Sequence, residues 1–180
     1  MCRTTNLDVV LKNDDDCGDN EEDGVRVVYL GMTADILHAG HANIVMTANK
    51  LIADGKADLL VVGLLTCEAV ESYKRKPVVP YEKRKMVLKA FKGVDKVVPQ
   101  ATLDYRPNLR RYAPKYCVHG SDWNDPQSAQ YKTRQDVIDT LAEWGGELVE
   151  PEYTKGISTT SVIDEISSRV KESLVKEIMA

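Results

Sequence analysis

Past residue 24, apolar positions follow two alternating rhythms along the chain. Five short runs have the continuous or period-two apolar character of strands: Arg26–Gly31, Leu59–Leu65, Lys96–Val98, Tyr116–His119 and Glu147–Val149. Between them, apolar residues recur every three or four positions. That spacing predicts helices over His41–Lys56, Cys67–Tyr73, Tyr81–Phe91, Asn108–Tyr112, Gln127–Trp144 and Thr160–Met179. Leu59-Leu60-Val61-Val62-Gly63-Leu64-Leu65 is apolar throughout, as a central strand covered on both faces should be. Pro80 opens the helix at Tyr81, and Gly145-Gly146 closes the long one before it. The last helix carries Val162, Ile163, Ile166, Val170, Leu174 and Ile178 on one stripe. Such a stripe predicts packing against the sheet, and the mixed charge of the opposite face argues against a membrane surface.

The strand–helix alternation predicts a single α/β domain over residues 25–180, doubly wound and Rossmann-like, with a mostly parallel five-stranded sheet. Residues 1–24 are different: eight acids stand against Arg3 and Lys12. With a chain total of −4, the body carries about +2, and the tail is expected to be a disordered acidic extension. The body's cations gather at Lys74-Arg75-Lys76, Lys83-Arg84-Lys85 and Arg110-Arg111. This suits a small anionic ligand and is thin for nucleic acid, which calls for a longer basic stripe with stacking aromatics. No apolar run is long enough to span a bilayer, and the start lacks the apolar core of a secretory leader. Cys2, Cys17, Cys67 and Cys117 show no paired spacing, which fits reduced thiols in a cytoplasmic protein.

In a doubly wound sheet, ligands sit beyond the carboxyl ends of the strands, and the chemistry-bearing segments fall there. His38-Ala39-Gly40-His41 follows the first strand and opens a helix. Three apart, its imidazoles share a face beside the free N–H groups of the helix start, an arrangement suited to phosphate oxygens. A single buried histidine is ordinarily a packing residue, but two of the chain's three histidines are here. A zinc reading lacks the intervening Glu and any nearby Cys cluster. The run Thr154-Lys155-Gly156-Ile157-Ser158-Thr159-Thr160 puts hydroxyls at another helix start, either as a phosphate cradle or as a plain N-cap. Lys74 and Arg84 stand out from their charge runs as candidates to meet a phosphate chain, the rest being a solvated face. His119-Gly120-Ser121-Asp122-Trp123 is either a ligand-holding turn or a tight turn around a packed indole.

Taken together, these segments resemble the cytidylyltransferase branch of the His-x-Gly-His nucleotidyltransferase superfamily. The resemblance runs through Met32-Thr33-Ala34-Asp35-Ile36-Leu37-His38-Ala39-Gly40-His41, Lys74 with Glu82-Lys83-Arg84, Gly120-Ser121-Asp122-Trp123 and Tyr153-Thr154-Lys155-Gly156-Ile157-Ser158-Thr159. It implies CTP as nucleotide, Mg²⁺ as cofactor and a homodimer, with Phe91 to Val98 resembling a stretch of the relatives' interface. It implies that His38 and His41 bind the α/β-phosphates, that Lys74 bridges α-phosphate and acceptor, and that Arg84 neutralises acceptor or phosphate charge. Ser158 and Thr159 would meet the β/γ-phosphates. Gly31, Met32, Thr33, Asp35, Gly40, His119, Gly120, Asp122, Trp123, Gly156 and Ile157 would complete the CTP site, and Asp35 or Asp122 would offer a carboxylate to the metal. Departures from the branch are Met32 and Ala34 around Thr33, Tyr153 for an Arg, Lys155 for a Glu, and Leu103-Asp104-Tyr105 where relatives carry a Trp. Those phrases, with Ser72-Tyr73-Lys74-Arg75 and Arg106-Pro107-Asn108-Leu109-Arg110, are similar to cytidylyltransferase domains associated with phosphoenolpyruvate phosphomutase. The implied acceptor is then a small phosphonate such as 2-hydroxyethylphosphonate. Phosphoethanolamine or glycerol 3-phosphate is the alternative, and an inactive nucleotide-binding scaffold is the non-enzymatic one.

Overall fold

The computed structural model describes residues 24–128 and 130–179, so the acidic tail expected over residues 1–24 lies outside the described residues except for Gly24. Five parallel strands form one sheet: β1 (Val27–Met32), β2 (Leu59–Leu65), β3 (Lys96–Gln100), β4 (Tyr116–Val118) and β5 (Glu147–Val149). Their spatial order is β3-β2-β1-β4-β5. The expected mostly parallel sheet is thus wholly parallel. The chain runs outward from β1 to β3, returns to β4 and proceeds to β5. The switch point therefore lies between β1 and β4.

Six α-helices connect and flank the strands among the described residues: α1 (Ala39–Ala53), α2 (Cys67–Glu71), α3 (Tyr81–Lys89), α4 (Arg106–Tyr112), α5 (Tyr131–Ala142) and α6 (Thr159–Ile178). Strand side chains alternate between two cores, as the pleat requires. Val28, Leu30 and Met32 of β1 join Leu60, Val62 and Leu64 of β2, under Val45, Ala48 and Leu51 of α1 and Leu88 of α3. On the other face, Val27, Tyr29, Leu59 and Val61 meet Leu109 of α4 and Val137 and Leu141 of α5. At full burial, side chains of this size contribute about 1.5–3 kcal/mol each. Where strands must be approached closely the sequence has glycine: a Cβ on Gly31 would fall within 2.6 Å of the Tyr105 ring.

Two features differ most from the sequence expectation. The helix expected from Gln127 begins at Tyr131, because residues 124–128 form turns through the Asp125 carboxylate and the Ser128 hydroxyl. The larger difference is α6. It does not cover the sheet: none of its residues is buried, and Ile166, Val170 and Leu174 are more than half exposed. Both faces of the sheet are already occupied by α1 and α3 and by α4 and α5, so within α6 only Thr159, Val162 and Ile163, at its start, are partly buried. Phe91 and Val94 pack against the first core.

Candidate active site

The segments after all five strands enclose a cleft of about 260 Å³ at the carboxyl end of the sheet. Of the residues singled out from sequence, Gly31, Met32, Thr33, His38, Gly40, His41, Lys74, His119, Gly120, Asp122, Trp123, Ile157, Ser158 and Thr159 line it. Asp35, Arg84 and Gly156 do not. Gly156, at φ +80°, supplies the left-handed turn that brings Ile157 and Ser158 back to the cleft.

His38 is the N-cap of α1. Its Nδ1 accepts a hydrogen bond from the Gly40 amide at 3.1 Å, and His41 Nδ1 accepts from the His38 amide at 3.3 Å. The amide can only donate, so each Nδ1 must carry its lone pair, and each neutral ring must hold its proton on Nε2. The rings stand 4.1 Å apart. Burial lowers the pKa of His38. Burial, with the positive charges of His38 and Lys74, pushes His41 down to about 4. Near neutral pH this pair therefore offers two Nε2–H donors without charge. Beside them, α6 also begins at the cleft, with Ser158 as its N-cap accepting from the Ser161 amide at 3.0 Å. The Ser158 hydroxyl is thus a cap as well as a lining group. Two helix N-termini converge on one space, which favours anionic oxygens.

Asp35 and Arg84 have a different place from the one the motif implies. The Asp35 side chain is 2% exposed and holds Arg75 at 2.9 Å and the Val79 amide at 2.8 Å. Burial works against its charge, but the Val79 and Val78 amides and Arg75 outweigh it and hold its pKa below the usual range. Its function in the fold is to tie down the 72–80 loop, which carries exposed Lys74 into the cleft. The carboxylate is spent on those bonds, so it does not suit a metal. Arg84 is buried beneath the cleft. Nη1 donates to Thr33 O at 2.6 Å and Leu65 O at 2.8 Å, Nε to Val79 O at 2.9 Å, and Nη2 to Cys67 Sγ at 3.6 Å. It clamps the ends of β1 and β2 to the loop and does not line the cleft.

On the β4 side, Trp123 is 1% exposed, and its indole N–H donates to Glu150 at 2.7 Å. Arg134 grips the same carboxylate through two bonds, at 2.8 and 2.7 Å. The His119 ring lies over Trp123 at 3.6 Å and 16°. His119 and Asp122 are the more open groups on this wall of the cleft, and the nearly covered indole backs the His119 ring. Arg134 and Glu150 escaped sequence reading because they are 16 residues apart and belong to no local pattern.

The cleft has two halves about β1. Toward β2 it is lined by Tyr73, Lys74, Leu103 and Tyr105, and toward β5 by Gln130, Glu152, Tyr153, Thr154 and the start of α6. Among the described residues its only carboxylates are Asp122 and Glu152, from the segments after β4 and β5. Among the described residues no three His, Cys, Asp or Glu side chains cluster to hold a metal.

Residues 29–165 match the family described as cytidylyltransferase-like. The chain belongs to that family. It is 30% identical over 144 residues to a probable ethanolamine-phosphate cytidylyltransferase of Schizosaccharomyces pombe, covering 79% of this chain and 36% of that protein. It is 33% identical over 135 residues to the mouse ethanolamine-phosphate cytidylyltransferase, covering 72% and 30%. It is also 33% identical over 148 residues to the bifunctional protein HldE of Aeromonas hydrophila, covering 81% and 29%. The chain thus spans about a third of the length of these curated relatives. The same fold occurs in the lipopolysaccharide core biosynthesis protein of Thermoplasma volcanium, with a TM-score of 0.57, 19% identity and coverage of 74% of this chain and all of that one. No helix among the described residues is long and apolar enough to cross a membrane.

Proposed function

We propose that this chain transfers CMP from CTP to an oxygen of a small phosphonate, releasing pyrophosphate. The observation that carries the reading is the convergence of the α1 and α6 N-termini, two neutral Nε2–H donors and the Lys74 ammonium on one cleft. In-line phosphoryl transfer asks a protein mainly for positioning and charge stabilisation. An acceptor oxygen attacks the α-phosphorus, the bond to the bridging oxygen breaks, and the electron pair leaves with pyrophosphate. The acceptor is already an anion near neutral pH, so no protein base is required. His38 and His41 donate to the phosphate oxygens as charge builds on them. Lys74 draws α-phosphate and acceptor together. The start of α6 binds the far phosphates through its amides and the Thr159 and Ser158 hydroxyls. Asp122 would hold Mg²⁺, which would supply neutralisation of the triphosphate's charge.

The choice of acceptor rests on the β2 half of the cleft. The Tyr73 hydroxyl is bonded to Thr33 at 3.0 Å, and Lys74 lies 4.9 Å over the Tyr73 ring. Tyr105 is packed against Tyr29, His119 and Trp123. Among the described residues this half has a cation, no carboxylate, and ring faces already engaged, which supports an anion with an uncharged tail over an ammonium-bearing one. The names of the curated relatives favour a second reading, phosphoethanolamine as acceptor. Pyrophosphate release with CTP and Mg²⁺ tests both, using 2-hydroxyethylphosphonate, 2-aminoethylphosphonate, phosphoethanolamine, phosphocholine and glycerol 3-phosphate. The expected result is fastest turnover with 2-hydroxyethylphosphonate. Preference for phosphoethanolamine would replace the first reading with the second. CTP binding without turnover on any acceptor would favour a nucleotide-binding scaffold. A homodimer in the cytoplasm completes the proposal, and sedimentation of the purified protein tests its first half.

A further inference from the structure

We infer that His119 reads the nucleoside part of the bound nucleotide as a hydrogen-bond acceptor, through Nε2. The inference deepens the nucleotide reading above and rests on it. His119 Nδ1 lies 2.8 Å from Gly120 O. A carbonyl oxygen only accepts, so Nδ1 must carry the proton, and the second nitrogen of the neutral ring is left with its lone pair. An imidazole is mostly neutral at about pH 7.5, and the packing of Trp123 and Tyr105 against this ring favours the uncharged form. Asp122 Oδ1 is 3.8 Å from Nδ1, beyond a hydrogen bond.

The ring has little freedom to turn. Trp123 stacks on one face at 3.6 Å, and the Tyr105 ring approaches at 6.2 Å and 69°. Trp123 is itself fixed by Glu150, and Glu150 by Arg134. The His119 amide donates to Val149 O at 3.1 Å, pinning the backbone to β5. The side chain keeps 16% of its surface open, and it lines the cleft. With Nδ1 engaged and one face covered, Nε2 is the ring nitrogen left for a ligand. A fixed, neutral acceptor in a half-enclosed site discriminates well, since a ligand lacking the matching donor leaves it unpaired. Phosphate oxygens cannot donate to it. Nucleosides offer two suitable groups, a ribose hydroxyl and the exocyclic amine of cytosine.

The test is a cycle between side chain and ligand. Dissociation constants are measured for CTP, 2′-deoxy-CTP, 3′-deoxy-CTP and UTP with the wild-type protein, His119→Phe and His119→Gln. Phe keeps the stacking and loses both nitrogens, and Gln is the second variant should Phe lower the melting temperature. CTP binding is expected to weaken about ten-fold in His119→Phe, the loss of one hydrogen bond. The preference for CTP over one analogue is expected to collapse in the same variant. Collapse against a deoxynucleotide assigns a ribose hydroxyl as the donor, and collapse against UTP assigns the amine. Folded variants that keep wild-type preferences against all three analogues would overturn the inference while leaving CTP binding intact. A wild-type protein that binds none of the nucleotides would overturn the underlying nucleotide reading as well.

Discussion

The two walls of the cleft use the same side chain with opposite polarity. After β1, the chain enters a helix, and the groups nearest the imidazoles are amides with no intrahelical partner. They take the Nδ1 lone pairs of His38 and His41 and force both protons out to Nε2. After β4, the nearest group is the Gly120 carbonyl, which takes the Nδ1 proton of His119 and leaves Nε2 bare. Backbone direction, and not residue type, thus decides which wall donates and which accepts. In the proposed reaction the donor wall meets phosphate, and the acceptor wall meets the nucleoside.

The comparison breaks most visibly at His38. Asparagine is a good N-cap, so His38→Asn should keep the melting temperature close to wild type while kcat falls on the order of 10²–10³-fold. Loss of stability in step with kcat would reduce His38 to a cap, and an unchanged kcat would remove the donor wall from the chemistry. Next is Arg84→Met, which leaves the carbonyls of Thr33, Leu65 and Val79 without their buried donor. Urea unfolding should show a loss of about 3 kcal/mol. A loss of turnover at unchanged stability would instead put Arg84 in contact with substrate. A smaller effect is expected for Asp35→Asn, which weakens the tether of the Lys74 loop. The acceptor KM should rise roughly ten-fold with the CTP KM little changed, because positioning on one side of the reaction centre is loosened. Equal increases in both would contradict that division of the cleft.

Acid gives the gentlest test. His38, His41 and His119 all have pKa values lowered by the fold, so the unfolded chain binds more protons than the folded one below about pH 6.5. Stability should therefore be unaffected by these groups above pH 6.5 and fall as pH drops toward 4. His41→Asn should flatten that slope in a series of melting temperatures. An unchanged slope would mean that His41 is not held neutral.

Much of this was legible in the chain because it is local. Leu59–Leu65 shows a doubly covered strand by composition alone, and His38-x-x-His41 shares a face by helical geometry. What was not legible depends on partners far away in sequence. Asp35 and Arg84 belong to the motif, but Arg75 and Val79 on one side, and the carbonyls of Thr33 and Leu65 on the other, turn them from the cleft into its supports. The stripe on α6 reads as a core face, yet the sheet has no face left for it. The indole of Trp123 reads as a ligand contact, but Glu150 and Arg134 fix it behind His119.

The most direct test of the two-wall account is a long-range ¹H–¹⁵N spectrum of the three imidazoles near pH 7.5, simple to assign because the chain has only three histidines. The account predicts two Nε2–H tautomers, His38 and His41, and one Nδ1–H tautomer, His119. His119 protonated on Nε2, or either of the other two protonated on Nδ1, would contradict it.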